Sequence, residues 1–144
     1  GMVEGQSRDL DAEGKKIKIK DLDEIHHLKT GKLIEACVES ICILKDGLSK
    51  KDAKAFLDFA RKFGLAFQIK DDILDVIGDE KKIGKPLNSD SKKNKATYPA
   101  IIGLKRSQER AERLCFDALR ILSKLPYNTK NLVKLSKFII LRDK

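Results

Sequence analysis

The chain has 144 residues, enough for one domain with a real core, and its 41% hydrophobic content with only 3 prolines and 9 glycines excludes a disordered or collagen-like chain. A formal charge of +9 admits an anionic partner, but aromatics are 6% of the sequence and none interleaves with basic residues as in a base-stacking sheet, so no nucleic acid is expected. The 3 cysteines lack Cys-x-x-Cys spacing, which argues against a disulfide framework or a zinc site, and no uninterrupted apolar run approaches the ~18 residues of a membrane span. The expectation is an all-α protein of the reducing cytoplasm, with the cysteines as small core hydrophobes and no stable membrane insertion.

The first residues read as the end of a helix that stops at Gly14. Lysine and isoleucine then alternate from Lys15 to Lys20, a period of two with no second strand to pair with, so a connecting loop is expected. Asp21 or Asp23 caps a helix through Leu22, Ile25 and Leu28. Lys29-Thr30-Gly31-Lys32 interrupts it, and the apolar stripe resumes through Leu33, Ile34, Cys37, Val38, Ile41 and Leu44 until Asp46-Gly47. A β-branched residue and a glycine in mid-helix predict a kink that frees backbone groups. His26 and His27 point about 100° apart on such a helix and do not readily share one ion.

Ser49-Lys50-Lys51-Asp52 has the form of a capping box with Asp in place of Glu, opening a helix over 51–77. Gly64 inside it costs about 1 kcal/mol relative to alanine, which implies a closely packed neighbour or a bend. Further along, Gln68, Asp71 and Asp75 fall on one stripe with Asp72 one step round, among apolar Leu65, Phe67, Ile69, Ile73 and Leu74. Such a stripe faces an internal cavity. Two carboxylates about 4 Å apart repel by roughly 4 kcal/mol at an effective dielectric near 20, so a cation is expected among them. Magnesium suits it, since that ion takes one or two protein carboxylates, keeps several waters and completes its shell with substrate phosphate. A solvated acidic face is the competing reading.

Gly78 ends the helix, and an irregular segment to Lys95 follows with 6 lysines between Lys81 and Lys95. A segment of that length beside an acidic stripe could close over a phosphate. Thr97-Tyr98-Pro99 then starts a helix through Ile101, Ile102 and Leu104. Two amphipathic helices, about 107–125 and 129–141, are separated at Pro126.

Taken together, Gly5-Gln6-x-x-Asp9-Leu10-Asp11, Lys29-Thr30-Gly31, Phe67-Gln68-x-x-Asp71-Asp72-x-x-Asp75, and Gly84-Lys85 followed by Lys95-x-Thr97-Tyr98-Pro99 resemble the trans-polyprenyl diphosphate synthases, and among them the bacterial farnesyl diphosphate synthases. The resemblance runs the whole length of the chain in order and spacing. It implies that residues 1–144 are the C-terminal part of an isoprenoid-synthase-type helical bundle that condenses an allylic diphosphate with isopentenyl diphosphate; with the helices that cover the acidic stripe missing, exposed apolar faces are expected to make the chain a homodimer. It assigns Asp71 to a magnesium ion on the allylic diphosphate, with Asp72 and Asp75 acting directly or through water. It assigns Lys29, Lys85 and Lys95 to the diphosphate oxygens, and the Thr30 hydroxyl, the Lys29 carbonyl and the Gln68 amide to the developing carbocation. Family members carry a second aspartate-rich motif on a facing helix, whereas this sequence holds one Asp-Asp-x-x-Asp. Little or no synthase activity is therefore expected of the chain by itself. A non-catalytic helical subunit that binds diphosphate or a partner is the alternative, and product chain length is not legible.

Overall fold

A computed structural model of the chain describes residues 1–78 and 95–141. The predicted lysine-rich segment lies almost wholly outside the described residues. Among those described there is no strand. Helices α1 (Met2–Ala12), α2 (Ile19–His26), α3 (Lys32–Leu44) and α4 (Lys50–Ile77) precede the undescribed segment, and α5 (Tyr98–Ile102), α6 (Leu104–Leu122) and α7 (Lys130–Leu141) follow it. No described helix is long and apolar enough to cross a membrane.

Helix α4 is the axis of the bundle, and its buried residues meet two apolar clusters. Ile69 and Ile73 pack with Leu22, Tyr98 and Ala111, while Phe59 and Phe63 pack with Ala118, Leu122 and Ile139. Each fully buried Leu, Ile or Phe side chain contributes about 1.5–3 kcal/mol, so these two clusters hold α2, α5, α6 and α7 onto α4. Serine 49 opens the helix, its hydroxyl accepting the Asp52 N–H at 3.0 Å. Only that side of the expected box forms, because the Asp52 carboxylate accepts instead from the Tyr127 hydroxyl at 3.0 Å, tying the start of α4 to the α6–α7 connection.

Three boundaries differ from the sequence reading, each for a local reason. Helix α2 starts at Ile19, three residues before the start that an Asp21 cap would give, because the Asp21 carboxylate reaches back to the Lys18 N–H at 3.1 Å and serves the first turn from inside it. A single helix from Thr97 to Leu104 does not form: Gly103, at φ +83°, separates α5 from α6. The interruption at Lys29-Thr30-Gly31 is a π-helical turn over His27–Gly31 that joins α2 to α3 without breaking the rod. Such turns are rare and gather at functional sites.

Two glycines make that turn packable. A Cβ on Gly64 would stand 3.2 Å from the Gly31 Cα, so α4 and the π turn meet backbone to backbone at the position where a close neighbour was expected. Beside this contact the buried Glu35 of α3 holds Arg61 of α4 at 2.9 Å, Lys32 at 3.1 Å and His27 at 3.4 Å. The expectation that all three cysteines sit in the core fails for Cys37, which is exposed on α3; only Cys115 is buried.

Candidate active site

The site is assembled from α1, the π turn, α4 and the segment ahead of α5. Helix α1 presses onto the π turn at Gly5, where a Cβ would stand 2.4 Å from the Lys29 nitrogen and 2.7 Å from its Cα. One turn along the same face, the buried Asp9 accepts the Lys29 ammonium at 2.6 Å. The Lys95 ammonium reaches the same oxygen, Oδ2 of Asp9, at 3.6 Å. Burial by itself would raise the pKa of Asp9, but the Lys29 hydrogen bond and charge, with Lys95 and His26, carry it below the ordinary carboxylate range.

On α4 the three aspartates occupy different surroundings. Asp71 is half-buried and accepts a hydrogen bond from the Gln68 amide at 3.4 Å. Asp72 turns into the protein, its Oδ2 lying 3.2 Å from His26 Nε2 and accepting the Tyr98 backbone N–H at 2.9 Å. Its pKa is raised, first by burial and then by the charges of Asp9 and Asp75, against the opposing pull of His26. Asp75 is buried, 2% exposed. Asp9, Asp72 and Asp75 thus share one electrostatic neighbourhood with His26.

Behind this wall lies a second polar network. The Tyr98 ring stacks on His26 at 5.7 Å, its hydroxyl donates to Asp23 Oδ1, and Arg110 donates to Asp23 Oδ2 at 2.7 Å while its guanidinium sits 5.5 Å above the ring. Burial raises the Asp23 pKa more than Arg110 and His26 lower it. The two adjacent histidines serve different partners, His26 facing Asp72 and His27 facing Glu35.

Of the residues singled out in the sequence, Lys29 and Lys95 are brought together on Asp9, and Gln68 is brought onto Asp71. Thr30 is half-buried on the π turn. Lys85 lies outside the described residues. Asp9 belonged to a quoted motif without a role; its i, i+4 spacing from Gly5 was the available signal. Nothing local marks His26, Tyr98, Asp23 and Arg110 as one network, since Arg110 and Asp23 are 87 residues apart.

Among the described residues, no three His, Cys, Asp or Glu side chains stand close enough to hold a metal ion between them. A magnesium ion does not require three, because its shell accommodates waters and phosphate oxygens beside one or two carboxylates. Asp71, half-buried on the stripe, fits that demand.

The sequence model of the family described as polyprenyl synthetase matches residues 1–134. The chain belongs to the polyprenyl synthetase family. It is similar to the farnesyl diphosphate synthase of Escherichia coli (strain K12), 43% identical over 148 residues, in a match that covers 100% of this chain and 49% of that protein. It is also similar to the geranylgeranyl diphosphate synthase of Cyanophora paradoxa, at 41% identity over 144 residues covering 99% of this chain and 48% of that one. In three dimensions it resembles the crystal structure of geranylgeranyl pyrophosphate synthetase from Pyrococcus horikoshii Ot3, with a TM-score of 0.84 and 30% identity, over 98% of this chain and 55% of that chain. The chain thus spans about half the length of the curated relatives it matches. The all-α fold of polyprenyl synthetases is the fold observed here.

Proposed function

We propose that this chain supplies one wall of a prenyl diphosphate synthase site, in which an allylic diphosphate is condensed with isopentenyl diphosphate with the assistance of magnesium. The observation that carries this reading is the pairing of Lys29 and Lys95 on one carboxylate, in the same electrostatic neighbourhood as the aspartates of α4. Two ammonium groups gathered beside buried carboxylates suit a ligand that is itself a polyanion bridged by a metal.

In this reading Asp71 is the carboxylate that holds Mg2+, with Asp75 and Asp72 acting directly or through water. The metal, when bound, neutralises leaving-group charge as a Lewis acid. Lys29, Lys85 and Lys95 bind the diphosphate oxygens. The Thr30 hydroxyl, the Lys29 carbonyl and the Gln68 amide turn their negative ends toward the carbon that becomes positive, a preorganised electrostatic stabilisation that needs no solvent rearrangement. The paired substrate, a second copy of the chain in a homodimer and a cytoplasmic location belong to the same proposal.

Titration calorimetry with inorganic pyrophosphate, with and without Mg2+, is the direct test. Binding that strengthens at least about tenfold on adding Mg2+ is expected, a difference of about 1.4 kcal/mol. Asp71→Ala should remove the gain. No measurable pyrophosphate binding by the folded chain would reject the reading, and steady product formation by this chain by itself would reject the expectation that it holds only part of the site.

A further inference from the structure

The grip of α1 on Lys29 has two points. At Gly5 the helix meets the backbone of Lys29 so closely that no side chain fits, and at Asp9, four residues on and on the same face, it takes the ammonium of the same residue. The backbone contact fixes where Lys29 starts and the carboxylate fixes where it ends. Asp9 is itself held in place, 9% exposed, and its Oδ2 also receives Lys95 from the segment ahead of α5. One oxygen therefore sets the positions of two cations that come from parts of the chain 66 residues apart, within about 6 Å of each other by the two distances.

We propose that Asp9 is the positioning residue of the diphosphate site, an internal counter-anion that keeps the Lys29 and Lys95 ammonium groups within about 6 Å of each other, close enough to serve one diphosphate, before any ligand arrives. This rests on the reading of Lys29 and Lys95 as diphosphate-binding residues. Two long, flexible cations left to themselves repel and spread over many rotamers, and a ligand that gathers them must meet that ordering cost. Asp9 meets it during folding. Each ammonium has three N–H donors, so neither the Lys29 hydrogen bond nor the Lys95 ion pair to Asp9 exhausts its capacity toward an anion. The same logic explains why the motif pairs a glycine with an aspartate at a spacing of four: removing either loosens the same lysine.

The competing physical effect has the opposite sign. A carboxylate beside the site repels an incoming polyanion, and if that repulsion dominated, Asp9 would be an obstacle that pyrophosphate has to displace. The two roles part on one substitution. Asp9→Asn keeps the shape and removes the charge, so a positioning role predicts pyrophosphate binding about tenfold weaker, or about 1.4 kcal/mol, in a variant that is folded at the assay temperature. Tighter binding, or equal binding, overturns the inference.

A second readout reports on the lysines without any ligand. In 1H–15N spectra tuned to lysine ammonium groups, the free wild-type chain should show a slowly exchanging signal that disappears in Lys29→Arg, and that signal should be lost in Asp9→Asn. A Lys29 signal that persists in Asp9→Asn overturns the inference. If Asp9→Asn does not fold, Asp9→Ser is measured in its place. A wild-type chain that binds no pyrophosphate rejects the diphosphate reading and with it this role of Asp9, whereas wild-type binding matched by Asp9→Asn rejects the role of Asp9 alone.

Discussion

Asp71 and Asp72 are neighbours in one motif and have different employment. Asp72 is buried and takes two hydrogen bonds, one from the N–H that begins α5 and one with His26, so it stitches α4 to α2 and to the chain beyond the undescribed segment. Removing it leaves a buried N–H without its acceptor and a buried imidazole nitrogen without its partner, at about 1–3 kcal/mol for each group stranded. Asp72→Ala should therefore cost about 3 kcal/mol in urea unfolding, while Asp71→Ala, half-buried with a 3.4 Å contact to Gln68, should cost about 0.5 kcal/mol or less. Equal losses from the two substitutions would show that the division of labour is wrong. The sequence reading placed Asp71 and Asp75 on one stripe with Asp72 one step round it, all facing one cavity. Helical geometry alone places their Cβ atoms; only the arrival of His26 and Tyr98 from other helices separates their roles.

At the level of the helices, the π turn is the element on which the site depends. Its extra residue lets Lys29 sit against Gly5 of α1 while Gly31 stays against Gly64 of α4. The turn is gripped from two sides by glycine contacts of unequal tightness. At Gly5 an added methyl meets backbone atoms at 2.4, 2.7 and 2.8 Å, none of which is the tip of a flexible side chain. Gly5→Ala should therefore destabilise by about 1–2 kcal/mol, since a clash with backbone falls in the upper part of the about 1–3 kcal/mol cost of overpacking and exceeds the ~1 kcal/mol that alanine returns in a helix interior. Denaturant unfolding of the purified variant checks this, and a stabilised Gly5→Ala would mean that α1 does not rest on Lys29. The sequence marked this place through a β-branched residue and a glycine in mid-helix and predicted a kink. It could not distinguish a break from a π turn, because that choice depends on whether neighbouring helices keep α2 and α3 coaxial.

Over the whole molecule, the two apolar clusters use one side of the bundle, and much of α3 and α7 is left outward. Leu33, Ile41, Ile43 and Leu44 on α3 are 60–77% exposed, and Phe138 and Leu141 on α7 are 56% and 79% exposed. Beside α3 lies an apolar cavity of about 470 Å³ lined by Cys37, Val38, Ile41, Phe56, Tyr127 and Leu132, which contains none of the site residues. Exposed apolar side chains in this number, beside an apolar cavity, favour association in water. Sedimentation at micromolar concentrations should show concentration-dependent self-association, and Ile43→Lys with Leu44→Lys should weaken it without lowering the melting temperature. A monodisperse monomer across that range would contradict this expectation.

What the sequence determined by itself was local and periodic. Spacing of apolar residues identified the all-α class and most of the helices, Ser49, Thr97 and Gly78 marked helix ends, and the ordered motifs pointed to the polyprenyl synthetase family, to which the chain belongs. These signals are legible because a helix repeats every 3.6 residues and its caps act within one turn. What only the tertiary structure decided was partnership. Asp9 with Lys29 and Lys95, Asp72 with His26 and Tyr98, and Asp23 with Tyr98 and Arg110 join residues 20 to 87 positions apart. Charge and hydrogen bonding fall off within a few ångströms, so which groups interact is settled by how helices cross, and the crossing is set by where Gly5, Gly31 and Gly64 let backbones touch.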